Sequence, residues 1–221
     1  MTKPPILYSF RRCPYAMRSR IFIRLCEIEV ELREVHLKNI PQEMKSISPK
    51  STVPVLDFSD GNLLEESLAI MDWAININDS HKLKQSKLNN LKKTQKILNI
   101  IDGPFKHNLD RYKYNSRYEN INSPEYFRDK AIEQLNDVEK ELLNNNLWLF
   151  NNEPSYLDLA ILPFIRQFRI ADIIWFDNEM PLKNLHAWLM RFLEWKTFQE
   201  VMKKNKFWKK NDKPIYFGKS I

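Results

Sequence analysis

The sequence predicts two parts of different class, an α/β part followed by an all-α part, and three observations carry the prediction. Short apolar runs alternate with helical patterns over the first eighty residues, an Asp60-Gly61 turn signal separates two such runs, and beyond Asn78 the strand-like runs give way to apolar residues spaced three and four apart. The expected division is 1-78 for the α/β part, 79-87 for a polar linker and 88-221 for the helical part. With 221 residues and an apolar fraction of 43%, the chain is long enough to bury a sizeable core.

Each element follows from its local chemistry. Ile6 to Phe10 is an apolar run of strand length. Pro14 suits a first helical turn because it has no amide hydrogen to leave unpaired and its φ is already helical, so a helix is expected from there to Ile28. Val30 to Leu37 alternates in part and reads as a second strand. After an irregular segment, Val53 to Phe58 and the run beyond Asn62 form a hairpin across Asp60-Gly61. Leu68 to Ile77 is the last helix of the first part, with Ser67 as its expected N-cap. Asp79 to Lys87 is polar and reads as the linker.

In the second part, Phe127, Ala131, Leu135, Val138 and Leu142 share one helical face behind Ser123-Pro124, and Leu182, Leu185, Trp188, Leu189 and Phe192 repeat the pattern. Asn144 to Asn146 reads as a helix-ending loop. Ser155 and Asp158 have the spacing of a capping box, in which two side chains satisfy two backbone amides reciprocally, and they are assigned to folding. Loss of such a cap ordinarily costs about 1 kcal/mol.

Composition narrows the function. The run after Met1-Thr2-Lys3-Pro4-Pro5 is strand-like rather than a signal-peptide core, and no stretch has the apolar length of a bilayer span, so a soluble, cytoplasmic chain is expected. Two cysteines make no disulfide framework, which fits a reducing compartment. Glycine occurs only at Gly61, Gly103 and Gly218, too few and too scattered for a P-loop or a dinucleotide fingerprint. His36, His81, His107 and His186 lack metal-ligand spacing, so no metal is expected. The net charge of +7 is uneven: residues 1 to 80 carry 10 basic and 11 acidic side chains, the remainder 25 and 17. Much of the excess lies in a tail where Lys203, Lys204, Lys206, Lys209, Lys210 and Lys213 interleave with Phe207, Trp208, Tyr216 and Phe217. Such a tail could follow a phosphate backbone or an anionic membrane. No nucleic-acid motif accompanies it, and the reading adopted is a solvated end whose aromatics fold back on the core, with neither nucleic acid nor membrane as partner.

Cys13 is the candidate reactive group. It falls at or just before the helix that Pro14 opens, where unpaired amides and the positive dipole end favour a thiolate. Arg11, Arg12 and Arg18 are near in sequence, and such settings lower a thiol pKa from about 8.5 into a range of roughly 3.5 to 7.5. Ala16 stands where a dithiol pair would have its second cysteine, so redox chemistry at Cys13 must borrow another thiol. Cys26 lies on the helix that holds Ile21, Phe22 and Leu25 and reads as a core residue.

Cys13-Pro14-Tyr15-Ala16, Thr52-Val53-Pro54-Val55-Leu56, Glu65-Glu66-Ser67-Leu68-Ala69-Ile70 and Ser155-Tyr156-Leu157-Asp158-Leu159-Ala160 stand in an order and spacing that resembles the cytosolic glutathione transferase superfamily, in its cysteine-containing, omega-like branch. The resemblance implies a thioredoxin-like domain followed by a helical bundle, and glutathione as co-substrate. It further implies a cis bond at Val53-Pro54, with the Val53 backbone pairing with the cysteinyl part of the tripeptide. Ser67 and the amides at its helix start are implied for the γ-glutamyl carboxylate, and Glu66 for the glutamyl ammonium. Where related omega-like sequences have a lysine for the glycyl carboxylate, this chain has Ile40, with Lys38 two places earlier and Lys50 further on; Lys38 is taken as the candidate. A homodimer is also implied.

The expected activity is glutathione-dependent thiol transfer or reduction of a small electrophilic or disulfide substrate through a Cys13-glutathione mixed disulfide. Conjugation of an electrophile by glutathione's own thiolate, assisted by a hydroxyl of Tyr8, Ser9 or Tyr15, is the enzymatic alternative. A transferase-like fold serving as an interaction module is the non-enzymatic one. The acceptor wall implied by the resemblance runs from Pro104 to Tyr114.

Overall fold

Leu7 and Tyr8, buried side by side in β1 (Ile6–Ser9), point to opposite faces of a sheet and define its two hydrophobic layers. The computed structural model describes residues 3–119, 122–143 and 147–219. β1 is followed by α1 (Pro14–Leu25), β2 (Val30–Glu34), α2 (Gln42–Ile47), β3 (Val55–Asp57), β4 (Leu63–Leu64) and α3 (Ser67–Ile77). A fifth strand, β5 (Tyr216–Phe217), comes from the far end of the chain, and the order across the sheet is β4-β3-β1-β2-β5. β1 and β2 run parallel, and the other neighbours are antiparallel.

One layer joins Leu7, Val30, Leu32 and Leu56 to Ile23 of α1 and Ile70 of α3. The other joins Tyr8, Val53 and Val55 to Val35 and Met44 of α2, with Phe10, Cys13 and Ile40 packed at its border. Each fully buried aliphatic side chain contributes about 1.5–3 kcal/mol of transfer free energy, so the two layers supply most of what holds this unit together.

Contacts divide the chain into residues 1–84 with 195–221, and residues 85–194. The division differs from the expected one in two ways. The segment read as a linker contains α4 (Leu83–Asn89), because the Asp79 carboxylate accepts from the amides of Leu83 at 2.7 Å and Lys84 at 3.0 Å and starts a helix. Residues 195–219, expected in the helical part, pack on the sheet unit: α11 (Lys196–Val201) lies on α1, and the tail beyond it runs back along β2. Leu32 donates to the Ile215 carbonyl at 2.7 Å and Trp208 to the Glu34 carbonyl at 2.8 Å. Two residues of strand leave no local periodicity; their conformation comes from the edge they cover.

The second unit holds α5 (Leu91–Ile100), α6 (Lys106–Lys113), α7 (Pro124–Leu142), α8 (Tyr156–Ala171), α9 (Ile173–Glu179) and α10 (Lys183–Glu194). The expected apolar faces are the buried ones, Phe127 to Leu142 on α7 and Leu185 to Phe192 on α10. Ser123 caps α7 and Ser155 with Asp158 closes the capping box of α8. Asn144 to Asn146 lie outside the described residues. Between α5 and α6, Ile101–Phe105 forms a π-helical turn around Gly103 and Pro104, where a proline cannot donate the regular helix bond.

Candidate active site

Because β1 and β2 are parallel, the chain leaves both at the same end of the sheet, and that end carries the candidate residues. The β1 exit is a tight corner. Cys13 donates its amide to the Phe10 carbonyl at 2.9 Å and receives the Met17 amide on its own carbonyl at 2.9 Å, so it is the N-cap of α1, in extended conformation with Pro14 as the first helical residue. Nothing on its side chain caps the helix, which leaves Sγ available to point elsewhere. It lies half-buried, 3.6 Å from the Val53 carbonyl, a distance suited to a weak S–H donor.

Val53-Pro54 is cis, as the resemblance implies. Val53 is buried and precedes β3, outside the ladder, and among the described residues its amide finds no acceptor. An amide without an acceptor beside the Cys13 sulfur is able to pair with an extended peptide.

Ser67 corrects one expectation. It is the first helical residue of α3 rather than the cap; Glu66 holds the cap position, without a side-chain hydrogen bond to the helix amides. The Ser67 hydroxyl is buried and accepts from Arg18 Nε at 2.8 Å, while among the described residues no acceptor takes its own proton. It is therefore oriented as a donor beside uncapped helix amides, an arrangement suited to a carboxylate. Glu66 is exposed and pairs with Lys50 at 3.3 Å, an exposed contact worth only about 0–1 kcal/mol that an ammonium group can replace. Lys38 is exposed on the turn closed by the His36 and Asn39 bridge.

The arginines do other work than simple proximity to Cys13 suggests. Arg18 is buried against Ser67 with its guanidinium 5.1 Å from the Tyr15 ring. Arg11 donates its amide to Glu34 at 2.6 Å and its guanidinium to the Met202 carbonyl at 3.1 Å, so it ties the corner to β2 and to the α11 end. No sequence signal announced the bond from Arg18 to Ser67, since a charged residue at helical spacing reads as a solvent-facing one. Tyr8, a candidate hydroxyl donor, is committed to Arg33 at 2.8 Å, and burial pushes its pKa up against the pull of that cation. Cys26 is buried, and burial, with the Asp79 charge adding to it, pushes its thiol up to about 12.

Residues 7–81 match the family described as the N-terminal domain of glutathione S-transferase. A probable glutathione transferase omega-2 of Caenorhabditis elegans is 25% identical over 189 residues, covering 80% of this chain and 68% of that one. Mammalian omega relatives align over shorter stretches; that of mouse omega-1, 34% identical, spans 28% of its length. Among solved structures, glutathione transferase Omega 3C from Trametes versicolor superposes with a TM-score of 0.73 at 16% identity, over 93% of this chain and 91% of the other. A Pseudomonas fluorescens family member with two glutathiones bound gives 0.69 at 18%, over 91% and 93%. At these identities the structural likeness is one of fold, and the fold agrees element by element with a thioredoxin-like sheet unit plus helices. Residues 7–81 thus match the glutathione S-transferase N-terminal domain, and the chain as a whole is similar to omega glutathione transferases and shares the glutathione transferase fold.

Proposed function

We propose that this chain is a glutathione transferase that acts as a thiol transferase, with Cys13 as nucleophile and a glutathione cradle made by Val53, Pro54, Ser67 and Glu66. The observation that carries the reading is the position of the Cys13 sulfur at the start of α1, 3.6 Å from the carbonyl of Val53, which opens the cis-proline turn and whose amide has no acceptor among the described residues. In the first step the Cys13 thiolate attacks the glutathionyl sulfur of a mixed disulfide; a Cys13-glutathione disulfide forms and the substrate sulfur leaves as a thiolate and takes a proton. In the second, the thiolate of free glutathione attacks that glutathionyl sulfur, giving oxidised glutathione and returning the Cys13 thiolate. Glutathione is the reductant, and Cys13 ends as it began.

Support for thiol transfer over conjugation lies in the hydroxyls. The Tyr8 oxygen is engaged by Arg33, and the Cys13 thiol stands at a helix start, a setting that favours a reactive thiolate. A cytoplasmic homodimer belongs to the same proposal; among the described residues no helix is long and apolar enough to cross a membrane.

Mass spectrometry after incubation with oxidised glutathione tests the reading. One glutathione, on Cys13, is expected; Cys13→Ser should abolish both adduct and turnover of a mixed-disulfide substrate, while Cys26→Ser should retain both. Equal loss in the two variants, or an adduct on Cys26, would overturn the assignment. Light scattering tests the dimer.

A further inference from the structure

The cradle just described, Val53, Pro54, Ser67 and Glu66, supplies no cation for the carboxylate at the far end of the tripeptide. The sheet order fixes where that end lies. Ser67 follows β4 on one side, Val53 and Cys13 border β3 and β1 in the middle, and β2 with its outer cover lies on the other. A tripeptide whose γ-glutamyl end meets Ser67 and whose centre pairs with Val53 therefore extends toward the β2 exit. There the tail arrives: running antiparallel to β2, it brings Trp208 to Glu34, at the same end of the sheet as Cys13.

A cavity of about 340 Å³ opens at this place, lined by Ile40, Glu43, Lys45, Trp208, Lys209 and Lys210 among others. Ile40 also packs in the cluster that includes Cys13 and Val53, so the cavity adjoins the cradle. Its wall is well anchored. The Trp208 ring lies 4.3 Å from the Arg33 guanidinium, and Asp212 accepts the Lys209 amide at 2.9 Å. Against three ammonium groups there is one carboxylate, Glu43, 3.9 Å from Lys210, and among the described residues no carboxylate pairs with the side chain of Lys45 or Lys209.

We infer that the C-terminal tail completes the binding site: Lys209 and Lys210, with Lys45, recognise the carboxylate at the C-terminal end of a γ-glutamyl tripeptide. The assignment rests on the glutathione reading above and gives the basic tail a role in specificity. Excess positive charge at a half-open cleft draws in an anion and holds it by charge-assisted hydrogen bonds that weaken with salt.

Calorimetry with S-methylglutathione and with its glycyl monoethyl ester separates this cation recognition from the rest of the site, because neither ligand can react at Cys13. The wild-type protein at low salt is expected to prefer the free acid by roughly three- to tenfold, the range of one or two partly exposed ion contacts. In the K45Q/K209Q/K210Q variant the preference should fall to about one, with the affinity for the ester kept and the thermal midpoint unmoved. Ser67→Ala should weaken both ligands alike. If the wild type binds neither ligand, the glutathione reading fails and takes this one with it. If it binds both equally, or if the triple variant keeps the preference, the cradle stands and the tail assignment is overturned.

Discussion

Replacing Asp158 by alanine should destabilise the helical unit by about three times the loss expected of an ordinary cap. The buried carboxylate of Asp158 accepts from the Ser155 amide at 2.8 Å, the Leu149 amide at 2.9 Å, the Trp188 indole at 2.8 Å and, in a short contact, the Ser155 hydroxyl. Alanine leaves three buried N–H donors without an acceptor, at roughly 2 kcal/mol each. Set against that is the relief of no longer burying a charge. Burial raises the Asp158 pKa from 3.8 to about 6 despite the four hydrogen bonds, which at ~1.4 kcal/mol per pH unit is about 3 kcal/mol. The net expectation at pH 7 is a loss of about 3 kcal/mol. The sign of the pH dependence follows. Between pH 4 and 6 the folded carboxyl keeps a proton that the unfolded chain has released, so wild-type stability falls as pH rises through this window and is then level as far as this group is concerned. The variant lacks that slope, so its deficit should be larger at pH 5 than at pH 7. Urea unfolding followed by circular dichroism and by Trp fluorescence, at both pH values, measures it. A deficit of 1 kcal/mol or less at pH 7, or one that grows from pH 5 to 7, refutes the reasoning.

Two further outcomes are expected. Glu34→Ala strands the Arg20 guanidinium, which is 1% exposed and bonded to Glu34 at 3.0 Å, and should cost on the order of 3–5 kcal/mol in denaturant unfolding, whereas the apolar pair Arg20→Met with Glu34→Leu should recover most of it. Gly218→Ala should loosen β5, because the glycine has φ +112° and an added Cβ would stand 1.8 Å from the Ile28 carbonyl oxygen; faster hydrogen exchange of the Leu32 amide, which bonds Ile215, is the readout.

What the sequence disclosed is what local chemistry determines. Pro14 announced the start of α1 and with it the position of Cys13; Asp60-Gly61 announced the hairpin, with Gly61 at φ +92°; the spacing of Phe127 to Leu142 announced α7 and its buried face. The second strand stops at Glu34 rather than Leu37, because His36 and Asn39 close a turn that β-like composition conceals. Ser67 was legible as a helix-start residue but not as the acceptor for Arg18, since that bond joins positions 49 apart in sequence. α2, Arg18 and the tail share one property: each takes its conformation or its burial from partners distant along the chain. For Tyr216 and Phe217, opposite Glu31 and Val30, that distance is nearly the whole chain.

Such a discontinuous unit constrains the order of assembly. β2 emerges from the ribosome early, yet the residues that cover its outer edge follow only after all of 85–194 has been made. Until then a row of unpaired backbone groups between Val30 and Glu34 is open to any strand that comes near, its own successor or a neighbour's. Maturation of the sheet is thus a late event in biosynthesis, and nascent chains halted before Trp195 should be the species most dependent on chaperones.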